Sequence, residues 1–372
     1  MSHALLAALE ARLAARAADG LARTLEAPPP RADAIDLSSN DYLGLAREPV
    51  SIAGDVEARP ASRLLGGTTR GALALEARLA AWKGHAAGLL FPSGFQANLA
   101  LLSALVGPED RVLSDAANHA SLIDGLRLAR PAVKHVFPHL DVDAVRHALE
   151  TPHPGGRTFL VTESLFSMDG DLAPLEAYAA IARAHDVALI VDEAHAAGLY
   201  GARASGRVEA LGLEREVFAT VTTFGKSFAA QGAVVTGARV LVDWLASSAR
   251  GFVYSTALAS PLVALLDARL ERVLADPTRG ARAIALAGRL RARLRAAGLD
   301  VRGADSPIVP LVLGAPTRAV SWSRALARQG FDVRAVRPPT VPDGASRLRI
   351  SVHADHDPST LDALAAAIEA LA

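Results

Sequence analysis

The 372-residue chain contains no cysteine. That excludes a disulfide framework, thiolate metal sites and a cysteine nucleophile, and it leaves the redox compartment open. Lysine is nearly as scarce. The chain holds 39 Lys+Arg, yet its lysines are Lys83, Lys134 and Lys226 alone, with arginine at every other basic position. Net charge is absent as well, since 39 Asp+Glu balance the basic residues. No electrostatic footprint for nucleic acid or an anionic membrane is present. No run reaches the roughly 18 apolar residues of a membrane span. Met1 to Arg16 scatters charges and lacks the apolar core of a secretory leader. A soluble, cytoplasmic protein is the expectation. No internal repeat and no low-complexity linker interrupts the chain.

What is present is a large apolar fraction, 51%, with a mean hydropathy of +0.24. A compact core follows, in two domains or one large domain with an appendage. Leucines at 5, 6, 9, 13, 21 and 25 predict an N-terminal helix over residues 4–25, ended by Pro28-Pro29-Pro30. Residues 35–44 read as a short strand entering a polar turn. The glycine-rich turn 66–71 precedes a helix over 72–82. Strand, turn and helix then alternate. Strands are expected over 87–91, 111–114, 133–137, 158–162, 187–191, 217–221 and 233–236, and helices over 95–105, 121–129 and 172–185. Short, wholly apolar strands alternating with helices argue for a mostly parallel sheet covered on both faces. A long helical stretch over 262–297 and strands near 308–313, 332–335 and 347–352 form a smaller α+β unit. The expected division is 1–50 as N-terminal helix and arm, 51–260 as the large α/β domain, and 261–372 as the small domain.

In open parallel sheets, ligands bind beyond the carboxyl ends of the strands, and the polar residues of this chain collect there. After Phe91 comes Ser93-Gly94-Phe95, a turn opening a helix, whose free N–H groups suit a phosphate, although any strand-to-helix turn favours Ser-Gly. After Ser114 comes Asn118-His119; the imidazole can stack on a flat ring or shuttle a proton, or simply start a helix. After Thr162 runs Glu163 to Asp171, too polar for a mere connector and without the ligand spacing of a calcium loop. After Val191 comes Asp192-Glu193-Ala194-His195. A strand-end acid of this kind needs a cationic partner, and no third residue completes Asp192 and His195 as a metal set. After Val221 comes Thr222-Thr223-Phe224-Gly225-Lys226-Ser227. Lys226 is either an ordinary loop lysine or one retained because lysine, unlike arginine, can lose its proton and attack a carbonyl as an amine.

Pyridoxal 5′-phosphate (PLP) uses all of these groups at once. It requires an amine for its aldehyde, a carboxylate facing its ring nitrogen, a phosphate cradle and a flat group over its ring. A nicotinamide enzyme is excluded because no G-x-G-x-x-G follows a first strand. A serine hydrolase is excluded because no G-x-S-x-G elbow occurs. A non-catalytic binding or scaffold protein on this fold would be expected to lose Lys226 or Asp192, and both are present.

Asp192-Glu193-Ala194-His195 and Thr223-Phe224-Gly225-Lys226 resemble the α-oxoamine synthases, fold-type I PLP-dependent enzymes that join an amino acid to an acyl thioester with loss of CO₂. Ser38 to Gly44, Ser93 to Asn98, Asn118 to Ser121 and Glu163 to Asp171 are similar to further signatures of that family, in the same order from about residue 36 onward. The resemblance implies the fold-type I architecture: a mostly parallel central sheet with helices on both faces and a smaller C-terminal α+β domain. Arg337 to Pro342 and Arg347-Leu348-Arg349 look most like the branch that takes L-alanine and a pimeloyl thioester, carried on CoA or on an acyl carrier protein (ACP). Sister pairs are glycine with acetyl-CoA, as in glycine C-acetyltransferase, glycine with succinyl-CoA, and serine with a long acyl thioester. An aminotransferase is a further alternative.

Carried over by resemblance, Lys226 holds the cofactor and acts as acid and base at the substrate Cα. Asp192 pairs with the ring nitrogen, His195 bonds the phenolic oxygen, and His119 stacks on the ring. Gly94 and Phe95 sit at the cofactor, and Ser167 and Thr223 hydrogen-bond near the ring and phosphate. Arg349 and Asn40 hold the amino-acid carboxylate, and Thr340 lies near the substrate. Arg337 is the candidate for the acyl chain's distal carboxylate, and Arg23 of the N-terminal helix for the acyl substrate. The segment Gly67-Thr68-Thr69 resembles one that reaches a neighbouring subunit's cofactor, which implies a homodimer with sites at the interface. The chain departs from the pattern at Ala72, where relatives commonly carry histidine, and at Ala196-Ala197, where they often read Gly-Thr. Neither change removes a group the chemistry needs.

Overall fold

The computed structural model describes residues 3–18, 34–51 and 59–372. The chain enters its folded body at a short strand, β1 (Ile35–Asp36). A seven-stranded sheet follows, built from β2 (Ala87–Phe91), β3 (Arg111–Asp115), β4 (Val133–Phe137), β5 (Thr158–Glu163), β6 (Val187–Asp192), β7 (Ala219–Thr223) and β8 (Ala233–Gly237). Its order is β2-β8-β7-β6-β5-β3-β4. β8 runs antiparallel to both neighbours, and the remaining pairs are parallel. Every residue of β2, β5, β7 and β8 is buried, as expected of strands covered on both faces. Helix Gly94–Leu105 packs on one face through Ala97, Leu101 and Leu102, and helix Leu175–His185 on the other through Leu175, Tyr178 and Ala182.

The second unit is an antiparallel sheet ordered β11-β12-β9, made of β9 (Ile308–Gly314), β11 (Arg334–Val336) and β12 (Ser346–Ser351), while β10 (Phe331–Asp332) pairs in parallel with β1. Leu37 belongs to the core of this unit beside Leu311, Leu348 and Leu364. The chain after β1 is stitched to the end of β12 by Ser351 N–H to Leu37 O and Ala354 N–H to Tyr42 O, both 2.8 Å. These two bonds carry Asn40 and Tyr42 to the seam between the two sheets.

The elements depart from expectation where polar or proline residues decide the backbone. β7 covers Ala219–Thr223 instead of 217–221, because Thr222 and Thr223 stay in the ladder with β8. Thr220 is buried by bonding its hydroxyl to that of Thr236 at 2.8 Å. The stretch 262–297 is two helices, Ser260–Ala275 and Arg279–Ala296. Pro277 lies at the break, and Asp276 accepts from the hydroxyl of Thr278 at 2.6 Å. The helix expected from 172 begins at Leu175, after Pro174. The run 332–335 serves two sheets: Asp332 pairs with Asp36, and Arg334 with Arg349. At the N-terminus, helix His3–Ala18 is described; residues 19–25 of the expected helix, Arg23 among them, lie outside the described residues. No described helix is long and apolar enough to cross a membrane.

Candidate active site

A cleft of about 260 Å³ opens at the carboxyl ends of β5, β6 and β7, and Asn40, His119, Asp192, His195 and Lys226 all line it. Each enters from a strand end or the loop after it. Asp192 is the last residue of β6, in register with Glu163 at the end of β5. Its carboxylate accepts from Asn98 Nδ2 at 2.7 Å and from the Ala194 amide at 2.8 Å. Lys226 follows β7 in the turn back to β8, where Phe224 N–H donates to Gly232 O at 2.9 Å. Its amine donates to Thr223 Oγ1 at 3.3 Å. Burial pushes the amine below the usual lysine range, and Asp192 and Glu163 oppose that shift.

The other two lysines are accounted for differently. Lys134 is exposed on β4. Lys83 is buried, pairs with Glu193 and donates to Ser205 O at 2.7 Å. Lys226 is therefore the lysine whose amine faces a cleft.

His119 caps the helix Ala120–Ala129 and shares a 2.8 Å contact between Nδ1 and Ser121 Oγ. Its backbone N–H donates to Glu163 at 2.7 Å. Burial lowers its basicity, so the ring is a neutral, flat wall, with Phe95 edge-on at 6.4 Å. Burial, together with the charges of Lys226 and Arg349, holds His195 well below the usual histidine range. Its Nδ1 lies 2.7 Å from the Tyr42 hydroxyl. Gly94 opens the helix behind Ser93, and a Cβ there would lie 2.2 Å from Thr223 Cγ2. A larger residue at 94 would force the Thr223 side chain to move.

Arg349, on β12, sits behind the cleft. It donates to Tyr42 Oη at 3.0 Å, to Ser351 Oγ at 2.8 Å and to the Ser167 carbonyl at 2.6 Å. Ser167 thus contributes through its backbone and is not among the residues lining the cleft. Thr340 is exposed, and neither it nor Arg337 lines the cleft.

Sequence reasoning gave no individual role to Tyr42, Asn98 or Glu163. Asn98 joins two site residues through one amide, bonding Asp192 and Ser121, and Ser121 in turn meets His119. Glu163 is buried beside Asp192, and burial first, then that carboxylate, raises it well above the usual range. All three stand inside quoted signatures, but only the fold reveals what they touch.

The donor set fits PLP. Lys226 offers an amine with one hydrogen bond among the described residues, Asp192 a carboxylate whose two oxygens are fixed by N–H donors, and Gly94 the N-terminus of a helix that opens at the cleft.

The sequence pattern of the aminotransferase class I and II family matches residues 32–368, and the chain belongs to that family. Within it, a protein of Anaeromyxobacter sp. (strain K) named 8-amino-7-oxononanoate synthase is 43% identical, with 100% of this chain and 97% of the relative covered. Among solved structures, a serine palmitoyltransferase from S. paucimobilis with bound PLP and myriocin superimposes with a TM-score of 0.88 at 27% identity, covering 98% of this chain and 96% of the other. An 8-amino-7-oxononanoate synthase from Francisella tularensis gives a TM-score of 0.76 at 25% identity, covering 91% and 98%. The mostly parallel α/β architecture expected from the sequence is thus both observed in this chain and shared with its relatives.

Proposed function

We propose that the chain is a cytoplasmic PLP-dependent acyltransferase. It condenses L-alanine with a pimeloyl thioester, on CoA or ACP, to give 8-amino-7-oxononanoate, CO₂ and free thiol. The observation that carries this reading is the convergence of the Lys226 amine, the Asp192 carboxylate and the His195 imidazole on one cleft, with Arg349 a single hydroxyl behind it.

Lys226 would hold the PLP aldehyde carbon, Asp192 its ring nitrogen, His119 its ring face and His195 its phenolic oxygen. The helix N-terminus at Gly94, with Thr223, would hold the phosphate. When bound, PLP supplies the electron sink for bonds broken at the amino-acid Cα. The protein's own tasks are binding, orientation and proton movement. Arg349 and Asn40 hold the alanine carboxylate and so decide which Cα bond faces the ring, an effect worth several kcal/mol. Lys226 Nζ, its pKa lowered by burial, takes the Cα proton and later returns it. Between those transfers Cα bonds to the thioester carbonyl, the C–S bond breaks, and the carboxylate leaves as CO₂.

A homodimer is part of the proposal. Leu64, Leu65 and Tyr254 are exposed in the two segments that the Ser62–Thr256 bridge joins. Beside them Thr68, Thr69 and Arg70 border a second cavity of about 650 Å³. A second reading, serine with a long-chain thioester, is favoured by the TM-score of 0.88 to the serine palmitoyltransferase. Steady-state CO₂ and thiol release with alanine, glycine and serine, each against pimeloyl- and palmitoyl-CoA, separates the two. Turnover with alanine and pimeloyl-CoA is expected. A preference for serine and palmitoyl-CoA overturns the substrate assignment, and no thiol release with any pair overturns the reaction class.

A further inference from the structure

The hydroxyl of Tyr42 is the point where three segments of the site meet. It lies 2.7 Å from His195 Nδ1, 3.0 Å from Arg349 Nη2 and 3.1 Å from the side-chain oxygen of Asn40, and the residue is fully buried. A phenol has one proton and two lone pairs, and an arginine can only donate. Arg349 therefore occupies a lone pair and polarises the hydroxyl into a stronger donor. Two acceptors compete for the single proton, and the imidazole nitrogen is both the closer and the more basic.

We propose that Tyr42 is a positioning residue: its O–H donates to His195 Nδ1 and so fixes the proton of the neutral His195 ring on Nε2, the nitrogen left to the cleft that His195 lines. With that proton given to His195, the Asn40 amide must turn so that its N–H, in place of the oxygen now facing Tyr42, meets the second lone pair of the phenol. Burial keeps His195 neutral, so the ring carries one proton, and its placement decides whether the cleft meets a donor or an acceptor. Burial likewise raises Tyr42 above the ordinary phenol range, which holds its proton on oxygen at neutral pH. The consequence rests on the proposed function: a donor at Nε2 complements the electron-rich ring oxygen of PLP, whereas the other tautomer opposes a lone pair to it.

Long-range ¹H–¹⁵N NMR of the full-length protein, with ¹⁵N-labelled histidine and His195→Gln to assign the signals, reads the tautomer directly, before and after PLP is added. The wild type is expected to carry its proton on Nε2 in both states. In Tyr42→Phe, which keeps the ring in the core, the His195 signals are expected to move toward the Nδ1-protonated form. That variant should also lose about tenfold in kcat, the worth of one hydrogen bond, with KM for the acyl thioester unchanged. An Nδ1 proton in the wild type overturns the proposal even if the variant fails to fold, as does a Tyr42→Phe protein with the wild-type tautomer. Failure to take up PLP would sink the functional reading alone, because the tautomer is measured before the cofactor is added.

Discussion

Lys83→Met should be among the most destabilising single substitutions outside the cleft. Lys83 and Glu193 are 1% and 0% exposed at their side chains. The amine is held by Glu193 and by Ser205 O, and Glu193 otherwise accepts only from the Val208 amide at 3.0 Å among the described residues. Methionine fills the space of the lysine stem but strands the carboxylate. Leaving one charge of a buried pair without its partner costs about 3–5 kcal/mol, against a total stability on the order of 5–15 kcal/mol. Urea denaturation of wild type, Lys83→Met, Glu193→Gln and the double variant closes a cycle. The double variant carries no buried charge and should recover most of the loss, giving a coupling of about 2 kcal/mol or more. Because Glu193 follows Asp192, PLP affinity should fall in Lys83→Met as well. A loss below about 1 kcal/mol in Lys83→Met, or additive effects around the cycle, would refute the reasoning.

Gly94→Ala should weaken PLP binding at least about tenfold, since its Cβ would strike Thr223 Cγ2; equilibrium dialysis should show partial rescue by Thr223→Ser, which deletes that methyl and keeps the hydroxyl. Asn98→Ala removes the donor to Asp192 Oδ2 and the link to Ser121, so fluorescence titration with PLP should report a dissociation constant raised about tenfold, with a few degrees lost in Tm. His139 bonds Asp115 at 2.7 Å and Asp171 at 2.8 Å, and these two carboxylates, overcoming burial, push it up to about 10 from 6.5. Its contribution to stability is therefore complete below about pH 6.5 and is lost as pH rises through about 10. Scanning calorimetry from pH 5 to 10 should show the Tm gap between wild type and His139→Gln hold level up to about pH 6.5 and then shrink as pH rises further. A gap that widens would reverse the assigned sign.

Much of the central sheet was legible because its strands are short apolar runs and its helices begin at recognisable turns. Asp192 and Lys226 could be singled out for the same reason, as polar residues placed where a buried strand ends. Three features escaped. Thr222 and Thr223 read as a turn, because a threonine that satisfies its hydroxyl inside a sheet looks the same in sequence as one in a loop. Tyr42 reads as part of a polar turn, and its hydroxyl gains meaning only when β12 delivers Arg349 from more than 300 residues away. Ser167 could be placed near the site by its loop, but not its use of a carbonyl in place of a hydroxyl. Long-range polar partnerships leave no local period in the sequence.

The central claim is that Lys226 carries the cofactor. The direct measurement is sodium borohydride reduction of the PLP-loaded protein, which fixes a carbonyl–amine linkage, followed by peptide mass mapping. A pyridoxyl group on the peptide containing Lys226, absent from Lys226→Ala, is the predicted result. The same group on Lys83 or Lys134, or on no lysine at all, would contradict it.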